Sequence, residues 1–175
     1  VLTEHAGWVS CLQVSDGKVF SGSSDNTIRI WDIDSGEELK VLTRHTNWVN
    51  CLQVADGKVF SGSMDETIRI WELDSGEELK ALTGHTGPVT SLKVADGKVF
   101  SGSWDKTIRI WELDSGKELK VLNGHTGCVN CLQVADGKVF SGSVDGTIRI
   151  WELDSGKEHK VLNGNTGCVN CLQVA

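Results

Sequence analysis

The chain has 175 residues, 39% hydrophobic and 23% charged, the composition of a folded domain rather than a disordered segment. A net charge of −7 argues against nucleic acid or an anionic membrane surface as partner, because both are held through a surplus of Lys and Arg. No apolar run approaches the roughly 20 residues of a membrane helix, and the opening VLTEHAGWVS lacks the basic and apolar segments of a signal peptide, so a cytoplasmic location is expected.

From Val9 the chain reads VSCLQV, then Asp16-Gly17, then KVFSGS. A loop, SDNT, leads into IRIWDI, and DSG leads into ELKVL. Asp-Gly between apolar runs is a strong hairpin signal, and Gly after Asp-Ser suits a turn that needs positive φ. None of the runs has a 3.6-residue period, so no helix is expected. The unit reads as four antiparallel strands. The continuous apolar first run predicts burial on both faces, and the polar last run predicts an outer edge.

The unit then returns every 40 residues. The third and fourth copies match at 33 of 40 positions, which indicates recent amplification or a designer. Four such sheets at a fixed period predict an all-β fold, a β-propeller with four complete blades at about 4–43, 44–83, 84–123 and 124–163. Residues 1–3 read as the end of an outer strand, and 164–175 as the extra inner strand of a fifth blade.

GHTG at 84 and 124, the motif SGSxDxTIRIW, and a Trp followed by an acid in every copy resemble the WD40-repeat β-propellers over the whole chain. The resemblance implies a hydrogen-bonded tetrad of His, Ser, Asp and Trp in each blade. Carried over by position, the tetrads are His5, Ser21, Asp25 and Trp31; His45, Ser61, Asp65 and Trp71; His85, Ser101, Asp105 and Trp111; His125, Ser141, Asp145 and Trp151. Ser23, Ser63, Ser103 and Ser143 are alternatives for the hydroxyl. A Ser-His-Asp set that recurs in every blade reads as structural, because a nucleophilic site is needed once and in a pocket. The departure is Asn165, which stands where earlier copies have His. No enzyme activity and no cofactor are expected.

Because the copies are so alike, their differences carry information. One variable position precedes the tetrad Asp: Ser24, Met64, Trp104 and Val144. A second begins the first strand: Trp8, Trp48, Pro88 and Cys128. A third lies two residues on: Ser10, Asn50, Thr90 and Asn130. In the family these positions gather on the top face, the usual partner-binding surface. Drift scatters polar residues, whereas tryptophans here suit a binding surface. A protein or peptide partner is the expectation, with Trp8, Trp48, Met64 and Trp104 as anchors and Asn50, Thr90 and Asn130 as hydrogen-bonding groups. Outer-strand variation, such as His159 for Leu, reads as solvated surface.

The six cysteines include two C-x-x-C pairs, Cys128/Cys131 and Cys168/Cys171. A zinc site is disfavoured, because residues i and i+3 of a strand point to opposite faces. Trp8 and Trp48 replace the first cysteine elsewhere, and Ser91 replaces the second. Small buried thiols in a reducing compartment are the expectation.

Four blades leave two apolar blade faces to cover. The leading expectation is a homodimer in which a second chain completes one ring of about eight blades. The alternatives are a piece of a longer array, or a chain that closes by itself. A self-assembling or engineered propeller whose only activity is oligomerisation is the competing functional reading.

Overall fold

A computed structural model describes residues 4–164 and 166–174. The readings for residues 1–3 and Asn165 lie outside the described residues. The chain folds as two compact units, Val1–Gly84 and His85–Ala175. Each unit holds two four-stranded antiparallel sheets with strands in sequential order.

The first unit contains β1 (Val9–Ser15), β2 (Lys18–Ser23), β3 (Ile28–Asp32) and β4 (Glu38–Leu42), followed by β5 (Val49–Ala55), β6 (Lys58–Ser63), β7 (Ile68–Glu72) and β8 (Glu78–Leu82). The second contains β9 (Val89–Ala95), β10 (Lys98–Ser103), β11 (Ile108–Glu112) and β12 (Glu118–Leu122), then β13 (Val129–Ala135), β14 (Lys138–Ser143), β15 (Ile148–Glu152) and β16 (Glu158–Leu162). None of the described residues is helical, so no helix long and apolar enough to cross a membrane is present among them.

Local chemistry accounts for the hairpins. Asp16 and Gly17 have φ of 47° and 69°, two consecutive positive values that match the right-handed twist of the strands they join. The same turn recurs at Asp56, Asp96 and Asp136. In the next hairpin Asp25 accepts bonds from the Thr27 amide and hydroxyl, which closes the loop over Asn26. Cross-strand pairing of Arg29 with Glu38 and of Arg69 with Glu78 ties each third strand to its fourth.

Two bulges shape every blade. Ladder pairing slips between Val9 and Cys11, so Ser10 is the extra residue; Asn50, Thr90 and Asn130 hold the same position. A second slip between Ile30 and Trp31 ejects Leu39 from the outer ladder, which leaves Leu39, Leu79, Leu119 and His159 exposed.

The core lies between neighbouring blades of a unit. In the first unit Phe20, Ile28, Ile30 and Leu42 of one blade pack on Val49, Val59 and Trp71 of the next. In the second, Phe100, Ile108, Ile110 and Leu122 pack on Val129, Leu132, Val139 and Trp151. Each unit also has side chain-to-backbone staples. Gln13 brackets Val54, donating to its carbonyl at 3.3 Å and accepting from its amide at 2.9 Å.

Two expectations are corrected here. The first strand of each blade is not the one buried on both faces. It is a sheet edge, mostly exposed in β1 and mostly half-buried in β5 and β9, whereas KVFSGS, interior to the sheet and covered on its faces, carries the deepest burial. The described residues of the supposed extra strand, 166–174, form no ladder. Backbone pairing is what makes a strand, and these residues ladder with none of the described strands.

Candidate recognition surface and the buried tetrads

Each blade places its histidine on the loop before the first strand, its serine on the second strand and its tryptophan on the third. In the second blade His45 Nδ1 lies 2.8 Å from Asp65 Oδ2, and its Nε2 lies 2.8 Å from Ser61 Oγ. Trp71 Nε1 donates to the same Ser61 Oγ at 2.9 Å. One proton arrangement satisfies every group. The indole N–H donates to the serine oxygen, the serine O–H to His45 Nε2, and the Nδ1–H to the carboxylate. The other three blades repeat the arrangement with His5, His85 and His125, at contacts of 2.6–2.9 Å. Each imidazole also meets its tryptophan edge-on, with centroids 6.2 Å apart.

The structure separates the two serine sets. Ser21, Ser61, Ser101 and Ser141 receive the indole N–H. Ser23, Ser63, Ser103 and Ser143 instead accept from the backbone amide of the tetrad aspartate. Pleat alternation puts both serines on the same face, and the ladder separates them: Ser21 stands opposite Arg29, while Ser23 lies beyond the last pair, where the loop begins.

Burial by itself raises the carboxyl of Asp65, but bonds from His45, Thr67 and the Thr46 amide outweigh it and hold the group well below the usual carboxylate range. Asp25, Asp105 and Asp145 are depressed in the same way, each with its threonine and histidine as the leading donors against burial. For His125 burial outweighs the opposing Asp145 carboxylate and lowers the imidazole below its ordinary value.

These distances are those of a nucleophile, base and acid relay, yet the serine is enclosed. Ser61, Ser101 and Ser141 are fully buried, and each serine oxygen is already occupied by an indole N–H. In the first unit an open cleft is lined by Val41, Arg44, Trp71, Gly76, Glu77 and Glu78, and Ser61 does not reach it.

The variable positions behave differently. The first two sets meet within every blade through one backbone bond, from Ser24 N to Trp8 O, Met64 N to Trp48 O, Trp104 N to Pro88 O and Val144 N to Cys128 O, each at 2.8–2.9 Å. This end of the sheet exposes large apolar groups. Trp8 is 77% exposed, Trp104 49% and Trp48 42%. Trp8 and Trp48 pack edge to face with centroids 6.0 Å apart. Val144 is exposed, and Ser24, Met64, Pro88 and Cys128 are half-buried.

The third set is committed elsewhere. Ser10 Oγ donates to the Val49 carbonyl at 2.8 Å. Thr90 Oγ1 donates to the carbonyls of Gly102 and Val129, and Asn130 Nδ2 to Val169 O and Asn170 Oδ1. The bulge turns Ser10 and Thr90 toward the following blade and Asn130 toward residues 166–174, where each side chain bonds a neighbouring backbone carbonyl. Asn50 sits at the same bulge, half-buried.

Four-stranded blades repeated at a fixed period, with a buried His-Ser-Asp-Trp tetrad in each, define a β-propeller built from Trp-Asp repeats. A family model described as the IP5P C-F β-propeller matches residues 5–111, and one described as the WD domain, G-beta repeat, matches residues 116–152. The chain belongs to the WD40-repeat β-propeller family.

Among curated proteins it is similar to the probable E3 ubiquitin ligase complex SCF subunit sconB of Talaromyces marneffei, 48% identical over 40 residues. That segment is 23% of this chain and 6% of the relative. The Penicillium rubens protein of the same description matches to the same extent. The chain thus corresponds to a small fraction of the curated relatives it matches. Among solved structures, the computationally designed Ika8 protein matches 98% of the chain with 54% of its own length, at 35% identity and a TM-score of 0.90. The computationally designed Ika4 protein matches 87% of the chain with 96% of its own, at 37% identity and a TM-score of 0.82. U3-55K matches 97% of the chain with 56% of its own, at 27% identity and a TM-score of 0.89.

Proposed function

We propose that the chain is a non-catalytic recognition scaffold that binds a protein or peptide through the variable end of its blades. One observation carries this reading. Blades nearly identical elsewhere differ where the first two variable sets meet, and there they present Trp8, Trp48 and Trp104 to solvent. Tryptophan supplies large apolar area with a single N–H donor, the profile of a binding hot spot. Relatives described as subunits of an SCF ubiquitin ligase complex support a protein as partner. A reducing, intracellular setting suits the six thiols, which are all free.

The test is selection of peptides from a random display library on the immobilised chain. Enriched peptides should lose at least tenfold in affinity when Trp8→Ala and Trp48→Ala are combined, with an unchanged urea midpoint. Undiminished binding by the folded double variant, or no enrichment, refutes the reading.

A second reading, self-association as the main activity, is favoured by the two uncovered blade faces described next and by likeness to designed propellers.

A further inference from the structure

Inside each unit one blade face covers the next, and the chain displays both halves of that interface uncovered. On the first blade Val9, Leu12 and Val14 are 52%, 61% and 53% exposed, and Ile33 is exposed beside them. Forty residues on, the same positions are Val49, Leu52, Val54 and Leu73, all packed into the core of the first unit. In the second unit they are Val129, Leu132, Val134 and Leu153, again in a core. The opposite face is open on the fourth blade. Phe140, Ile148 and Ile150 are only half-buried there and Leu162 is exposed, whereas Phe20, Ile28, Ile30 and Leu42 are buried under Val49 and Trp71.

We infer that a second copy of this chain covers these faces head to tail, the first blade of one chain docking on the fourth blade of the other. The inference rests on the self-association reading and supplies its surfaces. The occupant is argued from the chain itself. Both exposed faces carry the residue types that already meet twice within it, so their shapes are matched without any new chemistry.

Residues 166–174 stand where the incoming blade must go. Val169 is buried against Gly142 just as Val49 lies against Gly22 and Val129 against Gly102. Its amide donates to Ser143 O at 2.9 Å, and Asn130 and Gln133 reach the carbonyls of Val169 and Leu172. The segment forms no ladder, whereas β1 is laddered to β2 from Val9 opposite Ser23 to Ser15 opposite Lys18. Displacing the segment therefore breaks one backbone bond and a few side-chain contacts, and displacing β1 breaks a hairpin. The incoming β1 takes the place of residues 166–174, with its Val9 against Gly142.

Mass in solution by light scattering tests this. The full chain should run at twice 19.0 kDa. Leu12→Glu spoils one face and Leu162→Glu the other, both at exposed positions, so each variant alone should be a folded monomer with an unchanged urea midpoint. A one-to-one mixture of the two should regain the doubled mass, since it contains one intact pair of faces. Val169→Glu should leave the doubled mass intact. A monomeric parent chain overturns both the inference and the self-association reading. A doubled parent mass with no recovery in the mixture overturns only the head-to-tail contact, and a monomeric Val169→Glu overturns the displacement.

Discussion

His45 Nε2 and Ser61 Oγ stand 2.8 Å apart, with the indole of Trp71 bonded to the same oxygen at 2.9 Å. The indole bond separates a structural hydroxyl from the nucleophile of a relay. It occupies one of the two lone pairs of an oxygen that is fully buried. Repetition in four blades then gives each blade the same internal brace between its entry loop, second strand and third strand.

Ser61→Ala removes the centre of that brace. Trp71 Nε1 and His45 Nε2 are left without partners in a buried site, at about 1–3 kcal/mol for each orphaned group. The urea midpoint should fall accordingly, with the m-value unchanged. A fluorophosphonate probe should leave Ser61 of the parent protein unlabelled, and labelling there would restore an enzymatic reading.

Acid should destabilise the protein in two stages. The His125 imidazole is lowered in the folded state, so the unfolded chain binds the proton more readily, and stability is lost as pH falls below about 6.5. The depressed Asp25, Asp65, Asp105 and Asp145 contribute stability that is complete above the unfolded carboxyl value of about 3.9, begins to be lost below it and is gone only once pH falls through the much lower folded values. Urea midpoints measured from pH 8 to pH 3 should show both declines, and His125→Gln should abolish part of the first.

Gly102→Ala should destabilise the second unit. A Cβ there would lie 2.7 Å from Val129 Cγ1, in the packed seam between blades. Overpacking of this kind costs about 1–3 kcal/mol. Adding Val129→Ala makes room for the new methyl, so the double variant should be more stable than the sum of the single effects predicts. Additive losses would show that the seam yields in some other way.

The thiols should divide by environment. Burial pushes Cys11 up to about 12 and Cys131 up to about 11, with partial opposition from backbone bonds at Gly22 and Gly142. Half-buried Cys51 is also raised well above the ordinary thiol value, by burial and by Cys11 beside it. Cys168 and Cys171 are exposed. Iodoacetamide at pH 7.5 should modify Cys168 and Cys171 first and leave Cys11, Cys51 and Cys131 until the protein unfolds. Peptide mapping after timed quenching reads the order.

Much of this architecture was legible residue by residue. Asp16-Gly17 specifies its hairpin because the turn needs two positive φ values and those residues accept them at low cost. The alternation in TIRIW specifies a strand for an equally local reason, and the 40-residue period turns one such reading into four. Burial was harder to read. VSCLQV is the more apolar run, yet KVFSGS lies deeper, because depth depends on which strand sits inside the sheet and which blade covers it. The same limit governs the hydroxyls. Ser21 and Ser23 are one pleat repeat apart and alike in sequence, and only the position of Trp31 on the neighbouring strand selects Ser21.

By itself, then, the sequence determined the repeat, the hairpins and the strand order, all of which depend on spacing and on backbone preference within about 40 residues, while the resemblance to Trp-Asp repeats supplied the tetrads with the hydroxyl open between two serines. Tertiary structure decided the rest. Through a bulge it turned Ser10 and Thr90 toward a neighbouring blade and Asn130 toward residues 166–174, left that segment without a ladder, and set Trp8 against Trp48 in solvent. Each outcome depends on contacts between groups about 40 residues apart, and a linear pattern does not show which faces such groups turn to one another.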